Sequence, residues 1–355
     1  MTRGIVSNYA KIVYASYLDS LTLARELEKA LHAFVKDPTA AGQEECKKIW
    51  LEARRPYLQT EAYRFYAGPI DDKDGPESMI NGWPMDESYI DSVDGAPESG
   101  IIHQTELYPE ISKELIASLN EKAGETAITS GFHAIEFLLW GQDQSDDGPG
   151  DRPFSDYIDA PNAKRRSAYL VACGELLGDH LESLVKEWAP DQPGNYRAGF
   201  EAKDPVLATR EILYGLHVMS GKELAGERML VAWDTQDRED EHSCFSDTTH
   251  FDHQRDAMGI ENVYRGRYRK QNGEMISGSG IRALVRVFQP DRLAEFDRKM
   301  VEVTKSIAAI PSPFESAVLG GEDAPGRVAI LHAVEHLEDF AAMMAEVDQW
   351  LLSRR

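Results

Sequence analysis

The strongest constraint on this chain is its apolar rhythm: hydrophobic residues recur at three- and four-residue steps, while two-residue alternation is scarce. From Val6 to Val35 the residues Ile12, Tyr14, Ala15, Leu18, Leu21, Leu23, Leu27, Ala30, Leu31 and Phe34 keep that step, which paints one stripe along a helix. Pro38 ends the segment. A second one is expected from about Thr39 to Phe65 through Ile49, Trp50, Ala53, Tyr57, Ala62 and Phe65, kinked or restarted at Pro56. Helical pattern returns at about Glu106 to Glu121 and Ala123 to Trp140, so the first 140 residues predict a four-helix bundle. Further helices are expected at about Asn162 to Trp188, Pro205 to Trp233, Ile281 to Ile307 with a break at Pro290, and Arg327 to Leu352. Ile281 to Phe288 is apolar enough to be read as a strand as well.

Two stretches interrupt the rhythm. Gly68 to Gly100 carries Pro69, Gly75, Pro76, Gly82, Pro84, Gly95 and Pro97 around Trp83, Tyr89 and Ile90, and irregular segments of that length usually serve a function. Gly141 to Pro161, with Gly148-Pro149-Gly150-Asp151-Arg152-Pro153, reads as a linker. The expectation is an all-α fold of two four-helix-bundle-like domains packed together, 1–160 and 161–355. The echo between His133-Ala134-Ile135-Glu136-Phe137-Leu138 and His332-Ala333-Val334-Glu335-His336-Leu337 hints at internal duplication. Chance explains so short an echo equally well.

Composition narrows the function. Apolar residues make up 42%, as in an ordinary globular protein. The 61 acidic residues against 38 basic give a net charge of −23, which repels phosphates and anionic lipid headgroups and argues against nucleic acid as a partner. The same surface serves solubility and attracts cations. Three cysteines, Cys46, Cys173 and Cys244, are too few for a disulfide framework. No run approaches the ~18 apolar residues of a transmembrane segment, and Met1-Thr2-Arg3-Gly4 lacks the apolar core of a leader peptide.

Chemistry concentrates around His133 and Glu136, one helical turn apart and so on one face. An imidazole and a carboxylate suit iron or zinc, or form a general-base pair in which the acid orients the base; a hydrogen-bonded pair joining two helices is the bland alternative. Gly131, two residues before, allows a neighbouring backbone to come close. Glu61 and Arg64 share another face between aromatics, as site groups or simply as an ion pair. Asp86 and Glu87 are either ligands or the cap of a short helix. Glu239 to His253 gathers His242, His250, His253, Cys244 and several carboxylates, Asp247 among them. Its spacing fits no structural zinc pattern, so a solvated loop capping helices competes with a metal role. His332-Ala333-Val334-Glu335-His336 formally matches HxxEH, but its setting in a terminal helix without a downstream acidic ligand counts against an inverted zinc peptidase. HExxH, GxSxG, GxxxxGK[ST] and a glycine-rich dinucleotide fingerprint are all missing, which disfavours nucleotide enzymes.

Gly131-Phe132-His133-Ala134-Ile135-Glu136-Phe137-Leu138-Leu139-Trp140-Gly141-Gln142-Asp143 resembles the GxHxxE motif region of the imelysin family. Ala53 to Phe65, Trp83-Pro84 and Glu239 to Asp247 resemble the same family, especially its iron-regulated protein A branch, alongside the insulin-cleaving membrane proteases. The resemblance implies two packed helical bundles, a place in the bacterial periplasm or cell envelope, and a link to iron uptake. By position it transfers Gly131, His133 and Glu136. Three functions follow as expectations. The first is a protein that binds a metal ion, iron or zinc, or a small metal-bearing ligand at His133 and Glu136, joined by Glu61, Asp86 and His242 or Asp247, between the bundles and in contact with envelope iron-uptake components. The second is a metallopeptidase using the same pair as catalytic residues, and the third a non-catalytic interaction protein. The first two require His133 and Glu136 to face an accessible hollow.

Overall fold

The computed structural model describes residues 1–145 and 148–353. Its long helices fall where the apolar stripes are. Helix α1 (Thr2–Lys36) buries Ile5, Tyr9, Ile12, Val13, Leu27, Leu31 and Phe34 along one side. Helix α2 (Ala40–Leu58) begins at Thr39, whose hydroxyl accepts from Gly42 N at 3.1 Å. Pro56 sits in its last turn, and the chain tightens into a 3₁₀ turn, Gln59–Tyr63, rather than continuing to Phe65, which has a φ of 74°. Between residues 68 and 131 lie only the short helices α3 (Glu77–Asn81) and α4 (Lys113–Leu119), besides a 3₁₀ turn at Glu87–Tyr89. The two long helices expected across 106–140 shrink to α4 and α5 (Phe132–Trp140). Gly124 (φ 148°) and Gly131 (φ 91°) forbid helix before Phe132.

Beyond come α6 (Ala163–Trp188), α7 (Tyr196–Ala202) and α8 (Pro205–Val218), the last capped by Asp204 with Pro205 in its first turn. Helix α8 runs on through a π-helical stretch, Met219–Leu230, into α9 (Val231–Thr235), filling the single helix expected at 205–233. Helix α10 (Thr249–Arg265) has no counterpart in the sequence reading. A two-stranded antiparallel hairpin, β1 (Arg267–Arg269) and β2 (Met275–Ser277), pairs Tyr268 with Ile276. Ile281 to Phe288 resolves as helix α11 (Arg282–Phe288), followed after Pro290 by α12 (Leu293–Ala308), α13 (Phe314–Val318) and α14 (Pro325–Leu352). The fold is all-α apart from the hairpin.

Helix α1 packs against α2 and α6, and α5 packs against both α2 and α6. Helix α6, beyond residue 160, thus completes the packing around α1. Helix α14 packs on α8, the π-helical stretch and α12, while α10 bridges the groups by touching α2, the Gln59–Tyr63 turn and α12. Gly259 lets α10 come this close, since a Cβ there would lie 2.4 Å from the Gln59 carbonyl oxygen. Residues 146 and 147 of the expected linker lie outside the described residues.

Candidate functional site

All nine residues of α5 are buried. Its first turn is pinned from two sides: Trp50 Nε1 donates to the Phe132 carbonyl at 2.9 Å, and a Cβ on Gly131 would lie 2.5 Å from the Ile80 carbonyl oxygen. The motif glycine is therefore required by close backbone approach as well as by its positive φ. One turn on, His133 Nδ1 lies 3.0 Å from Glu136 Oε2. The other Glu136 oxygen accepts from Ser246 N at 3.0 Å and Ser246 Oγ at 2.6 Å. His133 Nε2 is buried and has no hydrogen-bond partner.

A second imidazole stands beside the first. His242 and His133 have ring centroids 4.8 Å apart at 70°, and Trp83 meets His242 edge-on at 5.7 Å. His242 Nδ1 lies 2.8 Å from Asp252 Oδ2, which also accepts from Ser243 Oγ and Arg54 Nη2, each at 2.6 Å. Arg54, fully buried between the rings of Trp50 and Phe132, donates in addition to Asn81 Oδ1 at 2.9 Å. Each imidazole is thus paired through Nδ1 with a carboxylate, the arrangement by which proteins orient ligating histidines.

Burial sets the charges. It drives His133 well below its ordinary pKa, with Arg54 adding to the effect, and takes His242 down to about 3, so both rings are neutral at pH 7. Burial raises Glu136 to about 8 against the opposing pull of Arg54 and Ser246. Asp252 goes the other way: burial would raise it, but Arg54 and His242 hold it well below the carboxylate range. The pair at His133 therefore keeps a proton at neutral pH, and the pair at His242 rests on an ionised acid.

The imelysin family pattern matches residues 13–344, nearly the whole chain. The chain belongs to the imelysin family. It is 27% identical over 348 residues to iron-regulated protein A of Synechococcus elongatus, covering 94% of this chain and 83% of that protein. Among solved structures, a protein assigned as an iron-regulated protein A precursor from Parabacteroides distasonis superimposes with a TM-score of 0.75 at 18% identity, over 99% of this chain and 95% of that one. An imelysin-like protein from Psychrobacter arcticum gives 0.65 at 12% identity, over 96% and 92%. These two likenesses show the shared fold.

In this imelysin the residues singled out from sequence part company. His133, Glu136 and His242 come together. Glu61 is instead neutralised by Arg64 at 2.8 Å and by Arg228, which overcome its burial and bring it down to about 2. The ion-pair reading of Glu61 and Arg64 fits these contacts, and a carboxylate so engaged is a countercharge to the site. Asp86 is exposed, and its carboxylate caps the Glu87–Tyr89 turn at Ser88 N, 3.0 Å away. Asp247 faces Asp143 and Glu315 rather than His133. His332 and Glu335 are exposed and His336 bonds Lys299 at 3.1 Å, which leaves the HxxEH echo on the surface of α14. Glu241 to Ser246 are buried, so this stretch is no solvated loop.

The expected open hollow is also corrected. His133 is 1% and Glu136 0% exposed, enclosed by apolar neighbours on α5, by Trp83 and by the 241–246 segment. A surface hollow of about 530 Å³ opens nearby along the chain, but Gln142, Gln144, Gly150 and Arg152 line it rather than the histidines. Sequence reasoning did not assign roles to Arg54, Asn81, Ser246 and Asp252. The signal was available, since each lies within or next to a block already noted for its polar residues among apolar ones. Among the described residues, three potential ligand atoms converge within 4.8 Å at Glu28, His32 and Glu175, and at Asp143, Asp247 and Glu315. The histidine pair supplies fewer. No helix among the described residues is long and apolar enough to cross a membrane.

Proposed function

We propose that this imelysin is an iron-uptake-linked protein of the cell envelope that binds a metal-bearing ligand through His133, with His242 beside it. One observation carries the reading: His133 Nε2 is a buried imidazole nitrogen without a partner, on a ring that cannot escape the deficit by becoming charged. Glu136 and Asp252 act as orienting acids. Coordination through Nε2 requires the tautomer that carries its proton on Nδ1, where it donates to Glu136 Oε2. One or two imidazoles suit iron carried in with other ligands of its own better than they suit a bare ion, which needs a fuller cage. The name of the Synechococcus relative, iron-regulated protein A, supports the link to iron, and family membership supports the envelope address.

With His133 and Glu136 enclosed, any ligand enters only when the segments around them part; a peptidase reading demands the larger opening, because a polypeptide has to reach the same pair. The test is metal analysis of protein purified without chelators, for wild type, His133→Phe and His242→Phe. Iron or zinc near one equivalent in wild type, lost in His133→Phe, supports the proposal; equal metal content in wild type and the folded variants refutes it. Cleavage of an unfolded substrate that stops with chelator would move the assignment to the peptidase.

A further inference from the structure

One surface hollow runs against the net charge of −23. It encloses about 510 Å³ between the end of α2, helix α10 and the β1–β2 hairpin. Arg55, Arg255, Arg267, Arg269 and Lys270 line it, against a single carboxylate, that of Glu261.

The acids at hand do not neutralise this group. Glu261 Oε1 accepts from Arg265 Nε at 2.6 Å and from Arg267 Nη2 at 3.0 Å, so one oxygen serves two guanidinium groups. Glu52 lies 3.4 Å from Arg55 and Glu274 2.6 Å from Lys270, and pairs as open to solvent as these hold their charges loosely. Among the described residues, neither Arg255 nor Arg269 forms an ion pair. Arg255 Nε is buried without a hydrogen-bond partner, and Arg255 Nη1 reaches only the Met258 sulfur at 3.8 Å. Its guanidinium lies 4.8 Å from the centre of the Phe251 ring, and that of Arg55 lies 5.8 Å from the same ring. Two like charges are thus held around one aromatic side chain with no shared counter-ion. Burial, and then Arg55, pull Arg255 down from its ordinary pKa. In a chain with 61 acidic residues against 38 basic, leaving these cations uncompensated is not something folding requires.

The missing partner is an anion. Guanidinium forks match the oxygens of carboxylate and phosphate groups, and five cations around one cleft focus the field on a ligand with more than one such group. The volume lies within the range of about 300–1,000 Å³ that small-molecule clefts occupy. Met258 and Met275, 37% and 43% exposed, offer apolar contact to a carbon skeleton. An extended polyanion such as nucleic acid or a lipid surface would also meet the acidic remainder of the protein, which repels it.

We propose that this hollow binds a small organic polyanion, a molecule carrying two or more carboxylate or phosphate groups, with Arg255 and Arg269 as its principal contacts and Arg55, Arg267 and Lys270 around them. The site stands on its own residues and does not depend on what His133 binds.

The experiment is calorimetric titration of the full-length protein at low salt with propane-1,2,3-tricarboxylate and, separately, with fructose 1,6-bisphosphate. At least one of the two is expected to bind at one equivalent, with an affinity that falls as sodium chloride is added; the arm that binds identifies which anionic group the hollow takes. Arg255→Gln/Arg269→Gln weakens that affinity at least ten-fold. His133→Phe titrates as wild type, and so does Lys73→Gln/Lys164→Gln, which removes the same charge from exposed positions outside the hollow. No binding of either anion at millimolar concentration, or equal binding by the Arg255/Arg269 double variant, overturns the proposal. Should that variant fail to fold, Arg269→Gln alone decides, because its side chain is exposed on the hairpin: an affinity at least three-fold weaker supports the site, and an unchanged one overturns it. Binding of single-stranded DNA or of phosphatidylglycerol vesicles in place of both small anions overturns it as well.

Discussion

Asp91 and His133 are both buried polar residues close to α5, yet their surroundings differ in kind. The Asp91 carboxylate accepts from Ser92 N at 2.9 Å, His103 Nε2 at 3.1 Å, Arg152 Nη1 at 3.0 Å, and Arg166 Nε and Nη2 at 2.6 and 3.0 Å. Both of its oxygens are used, and the groups come from the 68–100 stretch, from His103 just beyond it, from the 141–161 linker and from α6. The cluster locks irregular chain onto a helix. His133, by contrast, spends one nitrogen on Glu136 and leaves the other bare. Saturation is what a structural cluster selects for, because every unmet buried group subtracts from stability. A bare imidazole nitrogen next to a second imidazole that is likewise paired to a carboxylate marks a position held for something else.

The contrast breaks most visibly at Asp91. Asp91→Ala strands Arg152 and Arg166 without their shared carboxylate, and removing one partner of a buried ion pair costs about 3–5 kcal/mol. A urea denaturation midpoint that falls accordingly supports the structural role; a loss below about 1 kcal/mol would mean that the cluster is hydrated and the comparison fails. His133→Phe keeps the ring shape and gives up the nitrogens. Its stability loss should be the smaller, about 1–3 kcal/mol from the unpaired Glu136 oxygen, whereas ligand affinity falls about 100-fold or more. A His133 variant as damaging to folding as Asp91→Ala, with metal content intact, would reverse the assignment of the two clusters.

Acid distinguishes them further. Burial alone would raise the Asp91 carboxyl, but His103, Arg166 and Arg152 override it and hold the group well below its ordinary value. A depressed folded pKa contributes stability above the unfolded value of about 3.9 and loses it as pH falls from there toward the folded value. Wild type should therefore weaken more steeply than Asp91→Asn below about pH 4, by at most about 1.4 kcal/mol per pH unit from this group. Parallel acid limbs in urea midpoints measured at pH 5 to 3 would show that Asp91 is not the group that titrates.

How much of this was legible in the sequence depended on what each helix buries. Helices α1, α6 and α14 bury leucine, isoleucine and aromatic stripes, so their period shows through. Helix α10 buries Asp252, His253, Asp256 and Asn262 on its inward face. A hydrophobic period cannot register a stripe made of charged groups whose partners, Arg54 and Arg228, lie on other elements. That stripe builds the site, so the element hardest to read was also the one that mattered most. The His133–Glu136 pair was visible because both members lie on one helix; its link to His242 was read only as an alternative to Asp247, and its link to Ser246 not at all, because both close across more than a hundred residues of chain. The extra helix expected before Phe132 failed for a local reason, the left-handed backbone at Gly131, which apolar counting overlooks.

The smallest effect tests the residue that left the site. Asp86 accepts from Ser88 N and Oγ at 3.0 and 2.5 Å on an exposed turn of three residues. Substituting such a cap costs about 0.5–1 kcal/mol in a regular helix, and a turn this short at the surface should show the lower end. Asp86→Ala is therefore expected to change the urea midpoint barely beyond error and to leave metal content at the wild-type value. A drop in metal content would bring Asp86 back beside His133 and require the 68–100 stretch to fold inward when ligand binds, with Trp83, already against His242, as the residue that moves first.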